Sequence, residues 1–322
     1  MSLLVLNQQE VEELLDMEGC IEAMAEALSS LARGEVHVPL RVVVRPPSED
    51  SFIGLMPAHR GGGAPLYSLK TVCVMPDNPS RGLDAHQGTV TLFDGETGET
   101  RAIMNASAIT AIRTAAVSAV ATRLLAREDA RELGILGAGV QARSHLEALR
   151  LVRDFDAVRI FSPTASHARA LAKETGAKAV GTAQEVVEGA DVVVTATSAV
   201  DPVLRREWLK PGAHLNVVGG RPPMMRELDV ATVAASSFYV DRRESAENEA
   251  YDYRDALEAG AIGDDHIRAE IGEVLIGEAP GRQSPEELTV FRSLGLAVED
   301  LAAAEYVVRR ARERGVGVEV EF

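Results

Sequence analysis

The sequence predicts an α/β protein in which a doubly wound parallel sheet is joined to a β-rich domain. Three observations carry this expectation. Residues 131 to about 243 alternate short apolar runs with helical segments. These runs ("ELGILGAG", "AVRIFSPT", "DVVVTATSA", "HLNVVGG") lack the polar alternation of half-exposed strands, so they predict parallel strands buried on both faces. Residues 37 to about 104 instead carry shorter β-like runs broken by "PPSED", "RGGGAP" and "PDNPSRG". A chain of 322 residues is also long for a single hydrophobic core.

The elements follow in order. Asn7 is placed to cap a helix through "QQEVEELLDMEGCIEAMAEALSSLARGE", with Gly34 as its stop, so the chain is expected to open with a helix. The β-rich stretch follows, and then an Ala-rich helix over 107–126 that leads into the second domain. After the βα units, the tail "EELTVFRSLGLAVEDLAAAEYVVRRARERGVGVEVEF" predicts a further helix and a last β-like run that returns to the first domain. The expected division is residues 1–118 with 300–322 in one domain and 119–299 in the other.

Composition excludes several function classes. Hydrophobic residues make up 46% and charged residues 25%, an ordinary globular balance. Lys and Arg number 33 against 49 Asp and Glu, a net −16, which argues against nucleic acid or an anionic membrane as the main partner. Any anionic ligand therefore needs locally placed arginines. The two cysteines, Cys20 and Cys73, have no metal-binding or disulfide spacing, so no metal is expected and a reducing cytoplasm fits. The N-terminus turns acidic early, so no signal peptide is expected. No uninterrupted apolar run approaches ~18 residues, so no membrane span is expected either.

"GILGAGVQA" is a buried-strand pattern that breaks into glycines and opens a helix. Its GxGxxA spacing assigns Gly137 to the tight turn, Gly139 to close approach of backbone to a pyrophosphate, and Ala142 to helix-on-strand packing. An Asp or Glu at the end of the next strand would favour NAD, by bonding its ribose 2′-hydroxyl. Here the chain reads "IFSPTASHAR", with Ser162, Thr164 and Ser166 near His167 and Arg169 and no acid. This favours NADPH, with NADH as the alternative; the competing reading makes these hydroxyls ordinary helix caps.

Three isolated cations stand out in the first domain. Lys70 is the only charge in "YSLKTVCVM", and serves either as a proton donor or carboxylate partner, or as a gatekeeper on an exposed edge strand. Arg113 lies among Ile109, Ile112, Ala115 and Ala116, where a guanidinium needs an anion, from a ligand or from an internal Asp or Glu. Arg41 sits between apolar runs in "VPLRVVVRPP", and its local sequence also fits a solvated strand residue.

Taken together, "VPLRVVV", "GLMPAH", "LKTV", "HQGTVTLFDGETGE", "ITAIRTAAVSAVAT", "LGILGAGVQARSHLEAL", "EWLKPGAHLNVVGGRPPMMRELD" and "TVFRSLGLAVEDLAAAEYV" resemble the ornithine cyclodeaminase/mu-crystallin family over nearly the whole chain. The resemblance implies a homodimer paired through the β-rich, substrate-binding domain and a Rossmann-type domain holding NAD(P). It also implies a small α-amino or α-imino acid as substrate. By position, Arg41, Lys70 and Arg113 match the substrate pocket, with the arginines on the carboxylate. Thr114 and the 137–142 turn, including Val140 and Gln141, match cofactor contacts, and Ser293 to Gly295 match the segment beside the nicotinamide.

Two departures matter. Cyclodeaminases of this family carry a glutamate before "LMP" and an aspartate after "GG", where this chain has Gly54 and Arg221. The pattern is closer to mu-crystallin-like ketimine reductases. The expected activity is therefore NAD(P)H-dependent reduction of 1-pyrroline-2-carboxylate or 1-piperideine-2-carboxylate to L-proline or L-pipecolate, with Lys70 as proton donor. The alternatives are an ornithine cyclodeaminase that recycles its cofactor, an alanine or other amino-acid dehydrogenase, and a non-enzymatic binding protein.

Overall fold

The computed structural model of the protein describes residues 2–220, 224 and 226–321. The chain divides into two compact units, Met1–Arg113 with Gly295–Phe322, and Thr114–Leu294. Both divisions fall slightly N-terminal to the expected 118 and 299. Arg113 shows why, because its guanidinium is bonded to Glu299 and Asp300 and so belongs with the β-rich unit.

The first unit begins with β1 (Ser2–Leu6), followed by α1 (Gln8–Leu14) and α2 (Met17–Ala32). The expectation of an opening helix is corrected here. "SLLVL" is a strand paired in parallel with one neighbour and antiparallel with another, and neither partner is close in sequence. Asn7 does cap α1, in a reciprocal capping box with Glu10. The single long helix is also corrected, since the chain breaks at Leu15 and Asp16 restarts it as the cap of α2.

Five strands follow: β2 (Val36–His37), β3 (Val42–Val44), β4 (Phe52–Arg60), β5 (Leu66–Val74) and β6 (His86–Asp94); β7 (Thr100–Asn105) then leads into α3 (Ala106–Leu125). β4 to β7 pair as an antiparallel meander. One face of it is buried, with Met56, Ala58, Ser68, Lys70, Val72, Val90 and Leu92 all under a tenth exposed. The other face carries the half-buried Ile53, Leu55, Leu69 and Phe93. α3 is long and apolar enough to cross a membrane by length and composition, yet 67% of that window is buried within the protein. It is accordingly read as a core helix.

In the second unit β8 (Glu132–Leu136), α4 (Val140–Arg150), β9 (Ala157–Phe161), α5 (Ala165–Thr175), β10 (Lys178–Ala179) and α6 (Ala183–Val187) form one half. The other half holds β11 (Val192–Thr195), β12 (His214–Val217), α7 (Val230–Ala234), β13 (Ser237–Val240), α8 (Arg243–Glu249), α9 (Tyr251–Glu258), β14 (Ile267–Glu270), α10 (Ile271–Leu275) and β15 (Thr289–Arg292). The sheet runs β10-β9-β8-β11-β12-β15-β13-β14, with every pairing parallel. The order reverses between β8 and β11, which makes the carboxyl ends of those strands the crevice where ligands bind in such sheets. β11, β12 and β15 are buried at every residue, as unalternating apolar runs require.

β15 is a strand that the tail was not expected to contain. Beyond it α11 (Ala297–Arg314) and β16 (Val318–Glu321) return to the first unit, where β16 pairs antiparallel with β1, as the last β-like run predicts. The first sheet then runs β16-β1-β7-β6-β5-β4-β2, with β3 beside β4.

Candidate functional site

In the second unit the glycine turn lies at the switch point. Gly137 has φ +122°, and a Cβ there would lie 2.3 Å from the carbonyl oxygen of Ala196. Only glycine suits both the backbone angle and that contact. Gly139 is the N-cap of α4 and has no side chain to cap it, and a Cβ added there would meet nothing within 4 Å. The turn thus leaves open space above a helix N-terminus, the arrangement that accepts a phosphate against backbone N–H groups. Ala142 is fully buried, as close helix-on-strand packing requires. Gly137→Ala is expected to abolish dinucleotide binding in a titration, whereas Gly139→Ala, which meets no protein atom, should weaken it through the ligand alone.

Val140 is exposed at the start of α4, and the Gln141 carbonyl accepts a hydrogen bond from His145 Nδ1 at 2.7 Å. Burial pushes His145 down to about 4, so its ring is neutral and serves to fix α4. Thr164 is the N-cap of α5 yet makes no side-chain capping bond, and Thr164, Ser166, His167 and Arg169 are exposed beside a half-buried Ser162. Thr114 is half-buried on α3. Ser293 is buried, with its backbone N–H donating to the Val217 carbonyl at 3.0 Å.

The first unit gathers the three cations. β5 lies between β4 and β6, with Lys70 opposite Met56 and Val90, so the edge-strand reading of Lys70 is excluded. The Lys70 ammonium is 2% exposed and donates to Asp300 Oδ1 at 3.0 Å. Arg113 donates through Nε to that same oxygen at 3.1 Å, and through a terminal nitrogen to Glu299 Oε2 at 2.7 Å. Arg41 donates to the Gly295 carbonyl at 2.8 Å. Gly295 has φ +79°, and a Cβ there would lie 2.5 Å from the Arg113 guanidinium. Its place is therefore as the backbone platform between the two arginines.

These contacts set the electrostatics. Burial pushes Lys70 down to about 8; Asp300 opposes that shift, while Arg113 and Arg41 add to it. Burial also raises the Asp300 carboxyl, but Arg113 and Lys70 outweigh it and hold the group below the usual carboxylate range. Of the side chains joined in this cluster, three are cations and two are carboxylates. The arrangement can hold a small anion and keep a proton on an amine that releases it near neutral pH.

Glu299 and Asp300 were missed by sequence reasoning. In "LAVEDLAAA" two acids opening an apolar helix read as ordinary complements to its dipole. Their signal is burial, at 0% and 1% exposure, and only the fold reveals it. Gly54 lies on β4, where a Cβ would meet Val72 at an ordinary 3.6 Å, so the backbone does not force a glycine there. Arg221 lies outside the described residues. No group of His, Cys, Asp or Glu arranged to hold a metal occurs among the described residues.

A family model described as the ornithine cyclodeaminase/mu-crystallin family matches residues 1–315. A Delta(1)-pyrroline-2-carboxylate reductase from Bacillus cereus is 37% identical over 327 residues, covering 99% of this chain and 100% of that protein. Ketimine reductase mu-crystallin from Mus musculus is 40% identical over 308 residues, covering 94% and 95%. Thermococcus litoralis Delta(1)-pyrroline-2-carboxylate reductase, solved in complex with NADH and L-proline, matches with a TM-score of 0.94 at 36% identity, covering 98% and 100%.

Proposed function

The chain belongs to the ornithine cyclodeaminase/mu-crystallin family, and on that premise we propose that it is a nicotinamide-dependent reductase of cyclic α-imino acids. The substrate is 1-pyrroline-2-carboxylate or 1-piperideine-2-carboxylate, and the product L-proline or L-pipecolate. The observation that carries this reading is Lys70, a buried amine that shares one Asp300 oxygen with Arg113. When bound, the reduced nicotinamide supplies the hydride.

The chain's own residues do the rest. Arg41 and Arg113 bind the substrate carboxylate and so orient the imine carbon. Lys70 holds a proton for the imine nitrogen, and Asp300 keeps that ammonium charged and in place. Glu299 steadies the Arg113 guanidinium. The lyase alternative loses support because Gly54 and Arg221 stand where cyclodeaminases carry their two acids.

The test is a screen of NADPH and NADH oxidation against cyclic ketimines, pyruvate with ammonia, and ornithine, with ammonia release followed in parallel. Reduced cofactor should disappear in step with cyclic imine. Ammonia release from ornithine without net cofactor change would replace the reading with a cyclodeaminase. Turnover of pyruvate with ammonia alone would make the enzyme an open-chain amino-acid dehydrogenase.

NADPH is the proposed cofactor form. The uncapping Thr164, with Ser162, Ser166, His167 and Arg169, offers hydroxyl and cationic groups to a 2′-phosphate, and the strand end has no acid to repel one. Ser162→Asp is expected to reverse the preference toward NADH, read as the ratio of kcat/KM for the two cofactors. The protein is further proposed to be a homodimer paired through the half-buried apolar face of the first sheet and the exposed Val42, Val43 and Val44. Light scattering on the purified chain checks this.

A further inference from the structure

Behind the crevice of the second unit lies a charged group with almost no access to water. Glu227, Arg292, Asp252 and Asp241 are at most 1% exposed. Charges buried this deeply are costly unless each is bonded, so their placement needs a reason.

Glu227 is bonded on both oxygens. Oε1 accepts from the Thr197 backbone N–H at 2.9 Å and the Thr197 hydroxyl at 2.7 Å. Oε2 accepts from the Thr195 hydroxyl at 2.6 Å and the Gly219 N–H at 2.8 Å. One carboxylate therefore ties the end of β11 to the loop after β12. Arg292, the last residue of β15, donates to the Val217 and Gly219 carbonyls at 3.1 Å, and its Nε lies 3.3 Å from Asp252. Asp241 accepts from the Leu294 N–H at 2.6 Å.

The chain beyond β11 also reaches the glycine turn. Ala196 donates to the Leu136 carbonyl at 2.8 Å, and its own carbonyl is the atom that a Cβ on Gly137 would strike. Thr197, the next residue, donates to Glu227 through both its backbone N–H and its hydroxyl. In a doubly wound sheet the first mononucleotide half lies over β8 and β9, and the second over the strands beyond the switch point. Glu227 braces the carboxyl ends in that second half.

We infer that Glu227 is a positioning residue that sets the wall of the crevice facing the nicotinamide half of the dinucleotide, acting through Thr195, Thr197 and Gly219. This rests on the cofactor reading above. It does not extend to the adenine half, whose contacts belong to the glycine turn and the end of β9.

The geometry makes the test sharp. Each Glu227 oxygen faces one backbone N–H that cannot turn around, so a glutamine must place its NH2 against a donor. Binding of NADPH, by its fluorescence, and of adenosine 2′,5′-bisphosphate, its adenine half, by calorimetry, is compared in the unaltered protein, Glu227→Gln and Glu227→Asp. If the unaltered protein takes NADH instead, NADH and AMP form the pair. Glu227→Gln should weaken the dinucleotide by roughly 10- to 100-fold while the adenine half changes less than about twofold, with Glu227→Asp between the two for the dinucleotide. Parallel weakening of both ligands, or of neither, overturns the inference. If Glu227→Gln does not fold, Thr195→Val decides: it removes one donor, and should weaken the dinucleotide alone by about threefold to tenfold. Equal binding of the dinucleotide by Thr195→Val and the unaltered protein would then overturn the inference. An unaltered protein that binds neither dinucleotide overturns the cofactor reading itself, and this inference with it.

Discussion

Lys70→Ala is expected to lower kcat for imine reduction by about 10²- to 10⁴-fold, the usual contribution of a positioned general acid, with the dissociation constant for NADPH nearly unchanged. Unaltered turnover would remove Lys70 from the mechanism. With Lys70 as the proposed proton donor, its proton also sets the expected pH dependence. With its pKa pushed down to about 8, the amine is charged below that pH and neutral above it. Reduction consumes this proton, so kcat for reduction should be level below about pH 8 and fall above it. Oxidation of the amino-acid product needs the neutral amine and should rise through the same pH. The groups that act on Lys70 are Asp300, Arg113 and Arg41, and it in turn acts on His86 of β6.

The same shift couples Lys70 to stability. Lys70 drops from an ordinary 10.5 to about 8 on folding, so between those values the unfolded chain binds more protons than the folded one. Its contribution therefore makes the protein more stable as pH rises across that window. Lys70→Met should remove that part of the slope, measured by denaturant unfolding at pH 8 and pH 10.

Arg113→Ala is expected to have the largest effect on stability, about 3–5 kcal/mol, because it leaves Glu299 and Asp300 buried with one of their cations gone. It also removes the proposed carboxylate anchor, so kcat/KM for the imino acid should fall while that for cofactor stays closer to normal. A double variant, Arg113→Met with Glu299→Gln, separates the two roles. Removing both charges together should recover much of the lost stability but none of the activity. Recovery of activity in the double variant would show that Arg113 acts only as a structural partner of the acids.

How far the site could be read in the sequence depended on distance along the chain. Gly137, Gly139 and Ala142 sit within one local turn, whose spacing alone states the requirement for close backbone approach. Asn7 is likewise a local signal, and it caps α1 as expected. Lys70 and Arg113 were conspicuous because each interrupts an apolar pattern. Their partners were not, since Asp300 lies 230 residues from Lys70 and 187 from Arg113. β1 and β15 failed to show for the same reason. A four- or five-residue strand declares itself by what it pairs with, and β1 takes its neighbours from residues 100–105 and 318–321.

The sequence by itself determined the fold class, the glycine turn and which three cations stand out, because each follows from short-range periodicity and from the cost of placing charge among apolar side chains. Only the tertiary structure decided what those cations touch. It sets Glu299 and Asp300 against Arg113 and Lys70, makes Gly295 the platform between Arg41 and Arg113, and hides Glu227 behind the strand ends. Burial is the reason: a carboxylate takes its strength, and an amine its pKa, from the neighbours that exclude water, and those neighbours are assembled only when distant segments pack.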